Sequence, residues 1–218
     1  MFVASFPAPM YATNCWIIAG GRGQECIIVD PGMPDISHEI RAIIEENDLK
    51  PVAALITHGH LDHTFSVKPL ADGYGIASYI HSEDREYLLK PQGAHGPEFI
   101  ATLDAMSFEE PTDTRNLRHG DLLEILDLKI TAIHSPGHTR GSTMFNINDE
   151  LLISGDVLFA GSIGRTDLPS GSYEAMAKTL KTRVLPLSDD LRVLPGHGPE
   201  TTIKFERKNN PYLKELRI

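Results

Sequence analysis

Cysteine is nearly missing from this sequence: Cys15 and Cys26 are the only two in 218 residues. Neither has a second Cys at metal-ligand spacing, which excludes a thiolate zinc site. One disulfide between them is compatible with the count. Both lie in apolar runs, however, and we read them as two buried, reduced thiols of a cytosolic protein. Positive charge is scarce too, with 20 Lys and Arg against 30 Asp and Glu and a net charge of −10. That balance argues against a nucleic-acid or anionic-membrane partner, which would want a basic patch. Blocks of like charge and low-complexity tracts are absent, so no long disordered segment is expected. No apolar run reaches the length needed to span a bilayer. The first basic residue is Arg22, and Pro7 and Pro9 interrupt the early apolar run. That is not the shape of a signal peptide, and the expected location is the cytoplasm.

What is present is ordinary for a globular protein: 41% hydrophobic and 23% charged residues, enough for a sizeable core. The length suits one large domain over residues 1–218, or two intimately packed halves of it. Phe2–Phe6, Cys15–Ala19 and Cys26–Val29 are short, apolar and separated by turn residues, which predicts an antiparallel meander. Asp35 is the expected N-cap of a helix carrying Ile36, Ile40, Ile43 and Ile44 on one face. Ala53–Ile56 is a buried strand. Val67–Asp72 is a short helix with Pro69 in its first turn, and Ile76–Ile80 is a strand. Ser82, followed by Glu83 and Asp84, predicts a capped helix start with acids at the positive end of its dipole. From Lys90 to His119 the pattern weakens into a long excursion, with a short helix near Phe99–Met106. Strands follow at Leu122–Leu126, Leu128–His134, Thr143–Ile147 and Leu151–Ser154. Ser172 caps a helix with Tyr173, Met176, Leu180 and Val184 on one stripe. Leu191–Leu194 is a last strand, and Thr201–Lys208 a final helix stopped at Asn209-Asn210-Pro211.

The densest chemistry lies in Thr57-His58-Gly59-His60-Leu61-Asp62-His63. Three imidazoles and a carboxylate fall within seven residues, the donor types that zinc, iron and manganese prefer. Three further donors follow, each after a strand and each beside glycine. They are His138 in Ser135-Pro136-Gly137-His138, Asp156 in Ser154-Gly155-Asp156, and His197 in Pro195-Gly196-His197-Gly198. Glycine-flanked loops at strand ends present side chains into a cleft.

This series resembles the metallo-β-lactamase fold superfamily over nearly the whole chain. Within it, Gly155-Asp156-Val157-Leu158-Phe159 and Gly161-Ser162-Ile163-Gly164-Arg165-Thr166-Asp167 resemble glyoxalase II and its shorter, hydroxyacylglutathione hydrolase-like bacterial relatives. The fold implied is α/β: an αβ/βα four-layer sandwich of two mixed β-sheets with helices on the outer faces. The resemblance implies two divalent metal ions, zinc by default, with iron or manganese as alternatives. His58, His60 and His138 would hold one, Asp62, His63 and His197 the other, and Asp156 would bridge them. In an extended loop His58 and His60 point the same way by the period of two, so both reach one ion. The implied activity is hydrolysis of a thioester such as S-lactoylglutathione, or a related ester, by a hydroxide held between the ions. Asp62 and Asp156 are the carboxylates of that catalytic centre. Asp30, in Val29-Asp30-Pro31-Gly32, would support the metal loop by hydrogen bonds, or else cap the turn before Pro31.

The Lys and Tyr that hold glutathione in glyoxalase II correspond here to Arg165 and Asp167. Arg165 keeps the positive charge and is the expected substrate contact. Asp167 puts a carboxylate where an aromatic hydroxyl stands. Lys204, Arg207 and Lys208, after the last ligand, are either anion contacts or a solvated helix face. His38, His81, His119 and His134 have no ligand context; His95 is retained as a candidate substrate contact. Gly164-Arg165-Thr166-Asp167 also resembles the persulfide dioxygenases of the same superfamily, in which a single iron would sit on His58, His138 and Asp156.

Overall fold

In strand β2 (Asn14–Ala19) and strand β3 (Glu25–Val29) nearly every side chain is buried, on both faces. A strand reads as a continuous apolar run only when both faces of its sheet are covered, and that burial sets the architecture. The computed structural model describes residues 1–96, 106–125 and 127–216. It holds two six-stranded sheets. The first runs in chain order through β1 (Phe2–Pro7), β2, β3, β4 (Lys50–Leu55), β5 (Ala77–His81) and β6 (Thr114–Leu117). Its β1–β3 pairs are antiparallel, as the meander pattern predicts, and β3 to β6 are parallel. The second sheet holds β7 (Leu122–Ile125), β8 (Leu128–His134), β9 (Thr143–Ile147), β10 (Leu151–Gly155), β11 (Arg192–Pro195) and β12 (Thr201–Thr202).

Alternation along the strands sorts the core into layers. Trp16, Ile18, Ile27, Val29 and Leu55 of the first sheet meet Ile130, Phe145, Ile147, Ile153 and Leu194 of the second. Their neighbours Cys15, Ile17, Cys26 and Ile28 face outward, onto Ile36, Ile40 and Ile44 along helix α1 (Ser37–Glu46). On the other side, Met144, Leu152 and Val193 pack under Met176, Leu180 and Val184. Those three belong to helix α4 (Tyr173–Thr179) and the π-helical turn Leu180–Val184 that continues it. Helices α5 (Ile203–Asn209) and α6 (Pro211–Glu215) close the same face through Ile203 and Leu213. This is the expected αβ/βα sandwich. Each fully buried aliphatic side chain contributes about 1.5–3 kcal/mol, so the helices are held by these stripes more than by their own propensity.

Several elements depart from the sequence reading. Helix α1 starts at Ser37 with Ile36 at its N-cap; Asp35, the expected N-cap, stands one residue earlier, where its Oδ1 accepts from the Ser37 N–H at 3.0 Å. The stripe of α4 omits Tyr173, which is exposed, while Ser172 caps it as expected, accepting from the Ala175 N–H at 3.2 Å. Strand β6 is polar on its sequence, Thr-Arg-Asn-Leu, and hides in the excursion. The segment at Thr201 splits into a short strand and α5, and the chain restarts at Asn210, which caps α6 with Pro211 at its first position. The short helix expected near Phe99–Met106 lies, apart from Met106, outside the described residues. No helix of the described residues is long and apolar enough to cross a membrane.

Candidate metal centre

Every expected donor lies just past the C-terminal end of a strand, at one edge of the sandwich. The loop after β4 carries His58 and His60, and runs into the short helix α2 (Leu61–Thr64) with Asp62 and His63, followed by helix α3 (Val67–Tyr74). The loops after β8, β10 and β11 carry His138, Asp156 and His197. The two halves are stitched together there: the Thr143 N–H donates to the Thr57 carbonyl at 2.8 Å. Close approach depends on glycine. A Cβ on Gly196 would land on Asp156 Oδ1 and crowd His63.

The donors form two groups. His58 Nε2, His60 Nδ1 and His138 Nε2 make a triangle with sides of 3.0, 2.8 and 3.1 Å. His63 Nε2 lies 3.3 Å from His197 Nε2 and 3.5 Å from Asp62 Oδ2, with His197 Nε2 3.4 Å from that same oxygen. Asp156 stands between the groups. Its Oδ2 is 3.5 Å from both His138 Nε2 and His197 Nε2, and its Oδ1 is 3.5 Å from His63 Nε2.

The outer ring nitrogens decide which atoms face inward as lone pairs. His60 Nε2 donates to the Ala94 carbonyl at 3.1 Å and His138 Nδ1 to the Arg165 carbonyl at 2.8 Å. The Thr57 hydroxyl donates to Asp30 Oδ2 at 2.7 Å, so it is an acceptor for His58 Nδ1 at 3.0 Å. In neutral rings the three inner nitrogens are therefore all unprotonated. Lone pairs do not hydrogen-bond to each other; a cation is what satisfies such a triangle. A tetrahedral ion with bonds of about 2.0–2.1 Å would space its donors about 3.3 Å apart. Asp156 Oδ1 is buried with no hydrogen-bond partner, a further acceptor aimed into the site. The residues fit a divalent metal.

Charge agrees with that reading. Burial, and then His63, His138, His60 and His197, push the His58 pKa far down. Burial followed by His138 and His95 does the same to His60. Burial alone would lower His63, but Asp62, Asp156 and Asp30 overcome it and raise its pKa to about 10. Burial would raise the Asp62 carboxyl; His63 and the hydrogen bond from His197 instead hold it well below the carboxylate range. Thiol nucleophiles are excluded on the same grounds: burial and then Asp30 push up Cys15, and burial pushes Cys26 to about 12.

The supporting residues are partly as expected. Asp30 holds the loop rather than only capping a turn. Its Oδ1 accepts the Thr57 N–H at 2.8 Å, and its Oδ2 accepts from Thr57 Oγ1 and, at 2.9 Å, from His63 Nδ1. It does so at φ +50°, a left-handed conformation that costs a non-glycine residue of order 1–3 kcal/mol. Thr13 Oγ1, which the sequence did not single out, donates to Asp62 Oδ2 at 2.8 Å. His95 lies beside the cluster, its Nε2 accepting the Leu61 N–H at 2.9 Å. The exposed Arg165 guanidinium is paired with Asp167 at 2.8 Å through both Nε and Nη2.

Asp84 departs from its reading in what its side chain does: a helical turn starts there, but the carboxylate does not cap it. It is a fully buried carboxylate preceding the 3-10 turn Arg85–Leu88. It accepts from the Gly59 N–H, the Gly141 N–H and the Thr139 hydroxyl. Away from the centre, Arg207 pairs with Asp189 and bonds to the Leu185 and Leu187 carbonyls, while Lys204 and Lys208 lie along an exposed groove with it.

Comparison with known proteins agrees with this geometry. A family model of the metallo-beta-lactamase superfamily matches residues 8–197. The chain is 33% identical to hydroxyacylglutathione hydrolase GloC of Haemophilus influenzae, over 98% of this chain and 98% of that protein. The structure of BLEG-1 B3 metallo-beta-lactamase is similar with a TM-score of 0.84 at 30% identity, covering 97% of this chain and 99% of that one. The di-iron-bound form of TTHA1623 is similar with a TM-score of 0.77 at 29% identity, covering 98% and 100%. Such a sandwich, with imidazoles and carboxylates gathered at one edge, is the fold and donor set of metal-binding hydrolases. The chain belongs to the metallo-beta-lactamase superfamily.

Proposed function

We propose that this protein is a two-metal hydrolase that cleaves a thioester such as S-lactoylglutathione, or a related ester. The observation that carries the reading is the pair of three-donor groups with Asp156 between them. His58, His60 and His138 would hold one ion and Asp62, His63 and His197 the other, with the Asp156 carboxylate available to both. When bound, two divalent ions supply hydroxide near neutral pH and draw charge from a carbonyl oxygen.

The chain's own residues do the rest. Asp62, kept ionised by His63 and His197 and pinned by Thr13, orients the attacking water by accepting its hydrogen bond. His63 and His138 are locked in orientation by Asp30 and the Arg165 carbonyl, so the donors need not reorganise during reaction. Arg165 is the contact for a substrate carboxylate, exchanging its exposed partner Asp167 for the ligand; such surface pairs are worth only about 0–1 kcal/mol. The likeness to GloC supports the thioester class. The di-iron form of TTHA1623 makes iron as well as zinc a candidate metal.

Metal analysis of the purified protein, joined to a panel of thioester, lactone and persulfide substrates, tests this. The expected result is close to two divalent metals per chain with thioester hydrolysis, both reduced in Asp156→Ala. One iron per chain, with oxygen consumed on persulfide addition, overturns the hydrolase in favour of a dioxygenase.

A further inference from the structure

We propose that Asp84 is the positioning residue for one donor group, the His58, His60 and His138 triangle; this rests on the metal-centre reading above. Gly59 lies between His58 and His60, and Thr139 follows His138. Asp84 Oδ2 accepts the Gly59 N–H at 2.8 Å and the Thr139 hydroxyl at 2.6 Å. Its Oδ1 accepts the Gly141 N–H at 2.7 Å. One carboxylate thus ties together the two loops that supply all three imidazoles, across 25, 55 and 57 residues of sequence.

The anchor is itself fixed. Asp84 N–H donates to the His81 carbonyl at the end of β5, and the Asp84 carbonyl accepts the Tyr87 N–H, each at 3.0 Å. Neither glycine leaves room for a side chain: a Cβ on Gly59 would strike Tyr87 and the Asp84 carbonyl, and one on Gly141 would strike the Asp84 carboxylate. Asp84 makes no salt bridge with Lys or Arg among the described residues. An anion buried without a cationic side chain is costly unless both its oxygens find donors or a cation lies close. Two backbone N–H groups and a hydroxyl meet the first condition, and an ion in the neighbouring triangle meets the second. The other donor group has its own carboxylate in Asp30, which holds His63. Asp30 also reaches His58 through Thr57, whereas the Asp84 carboxylate touches only the two loops of the triangle.

That confinement of Asp84 makes the test selective. Metal-stripped protein is reloaded with cobalt(II), and both dissociation constants are measured by chelator competition. In Asp84→Asn the side-chain amide turns an N–H₂ toward donors that need an acceptor. One ion is expected to bind about 10- to 100-fold more weakly and the other as in the wild type, so that the titration and the cobalt absorption bands resemble those of His138→Ala. The metal-free variant should keep the wild-type far-UV circular dichroism. Equal weakening of both ions, or of neither, overturns the role of Asp84. Should Asp84→Asn fail to fold, Thr139→Val removes one of the three bonds and should weaken the same ion by a smaller factor; unchanged binding there also overturns it. A wild-type protein that takes up only one cobalt overturns the two-ion reading itself, and this inference with it.

Discussion

Asp30 Oδ2 and His63 Nδ1 are held 2.9 Å apart with both side chains buried, so an anionic acceptor fixes which nitrogen of His63 faces the site. Asp30→Asn keeps the shape and tolerates the left-handed backbone, but removes the charge. Affinity for the ion assigned to Asp62, His63 and His197 should fall about 10- to 100-fold, and the other ion, which Asp30 reaches only through Thr57 and His58, should weaken by a smaller factor. Chelator competition on the purified variant checks this, and unchanged affinity in a folded Asp30→Asn protein removes the positioning role.

Arg165→Ala separates the side chain from the backbone. The Arg165 carbonyl still accepts from His138 Nδ1, so metal content should stay at the wild-type value. KM for an anionic thioester should rise about 3- to 10-fold with kcat nearly constant, since a remote anion contact is mostly uniform binding. Steady-state kinetics with an anionic and a neutral thioester decide it; an equal KM for both enzymes dismisses Arg165 as a substrate residue.

His81 and His134 stack in parallel with ring centroids 3.9 Å apart. Burial, and then His134, lower the His81 pKa from 6.5 to about 4. The unfolded chain takes up this proton near pH 6.5 and the folded chain only near 4. The contribution of neutral His81 is thus complete above 6.5 and lost as pH falls toward 4. His81→Phe keeps an aromatic face without a proton site. Between pH 7 and 4.5 the variant should gain about 2–3 kcal/mol relative to the wild type, read as a shift in urea midpoints. A gap that stays constant with pH refutes the assignment.

The side chains that gather at the site were legible because each announces itself locally. Four crowd into residues 58–63, and His138, Asp156 and His197 each stand beside glycine after an apolar strand. The sheets were legible where burial on both faces leaves an unbroken apolar run, as at Ile17–Ala19 and Ile27–Val29. Strand β6 was not, because an edge strand is free to be polar. Asp84 was misread for a related reason. Its neighbours in sequence are a helix-start pattern, and its partners lie 25 or more residues away, so no local rule points to them. Thr13 is silent in the same way, its partner Asp62 being 49 residues distant.

The loop that carries His197 is laid on the beginning of β2. The Asn14 N–H donates to the Gly196 carbonyl at 2.7 Å, Asn14 Nδ2 to the Pro195 and Gly198 carbonyls, and Trp16 Nε1 to the Pro195 carbonyl at 3.1 Å. The seventh donor thus takes its place only when one of the latest strands to be synthesised meets one of the earliest. A chain still emerging from the ribosome holds the first cluster of imidazoles long before it can close the centre. The full set of donors is therefore a signature of correct docking of the two sheets.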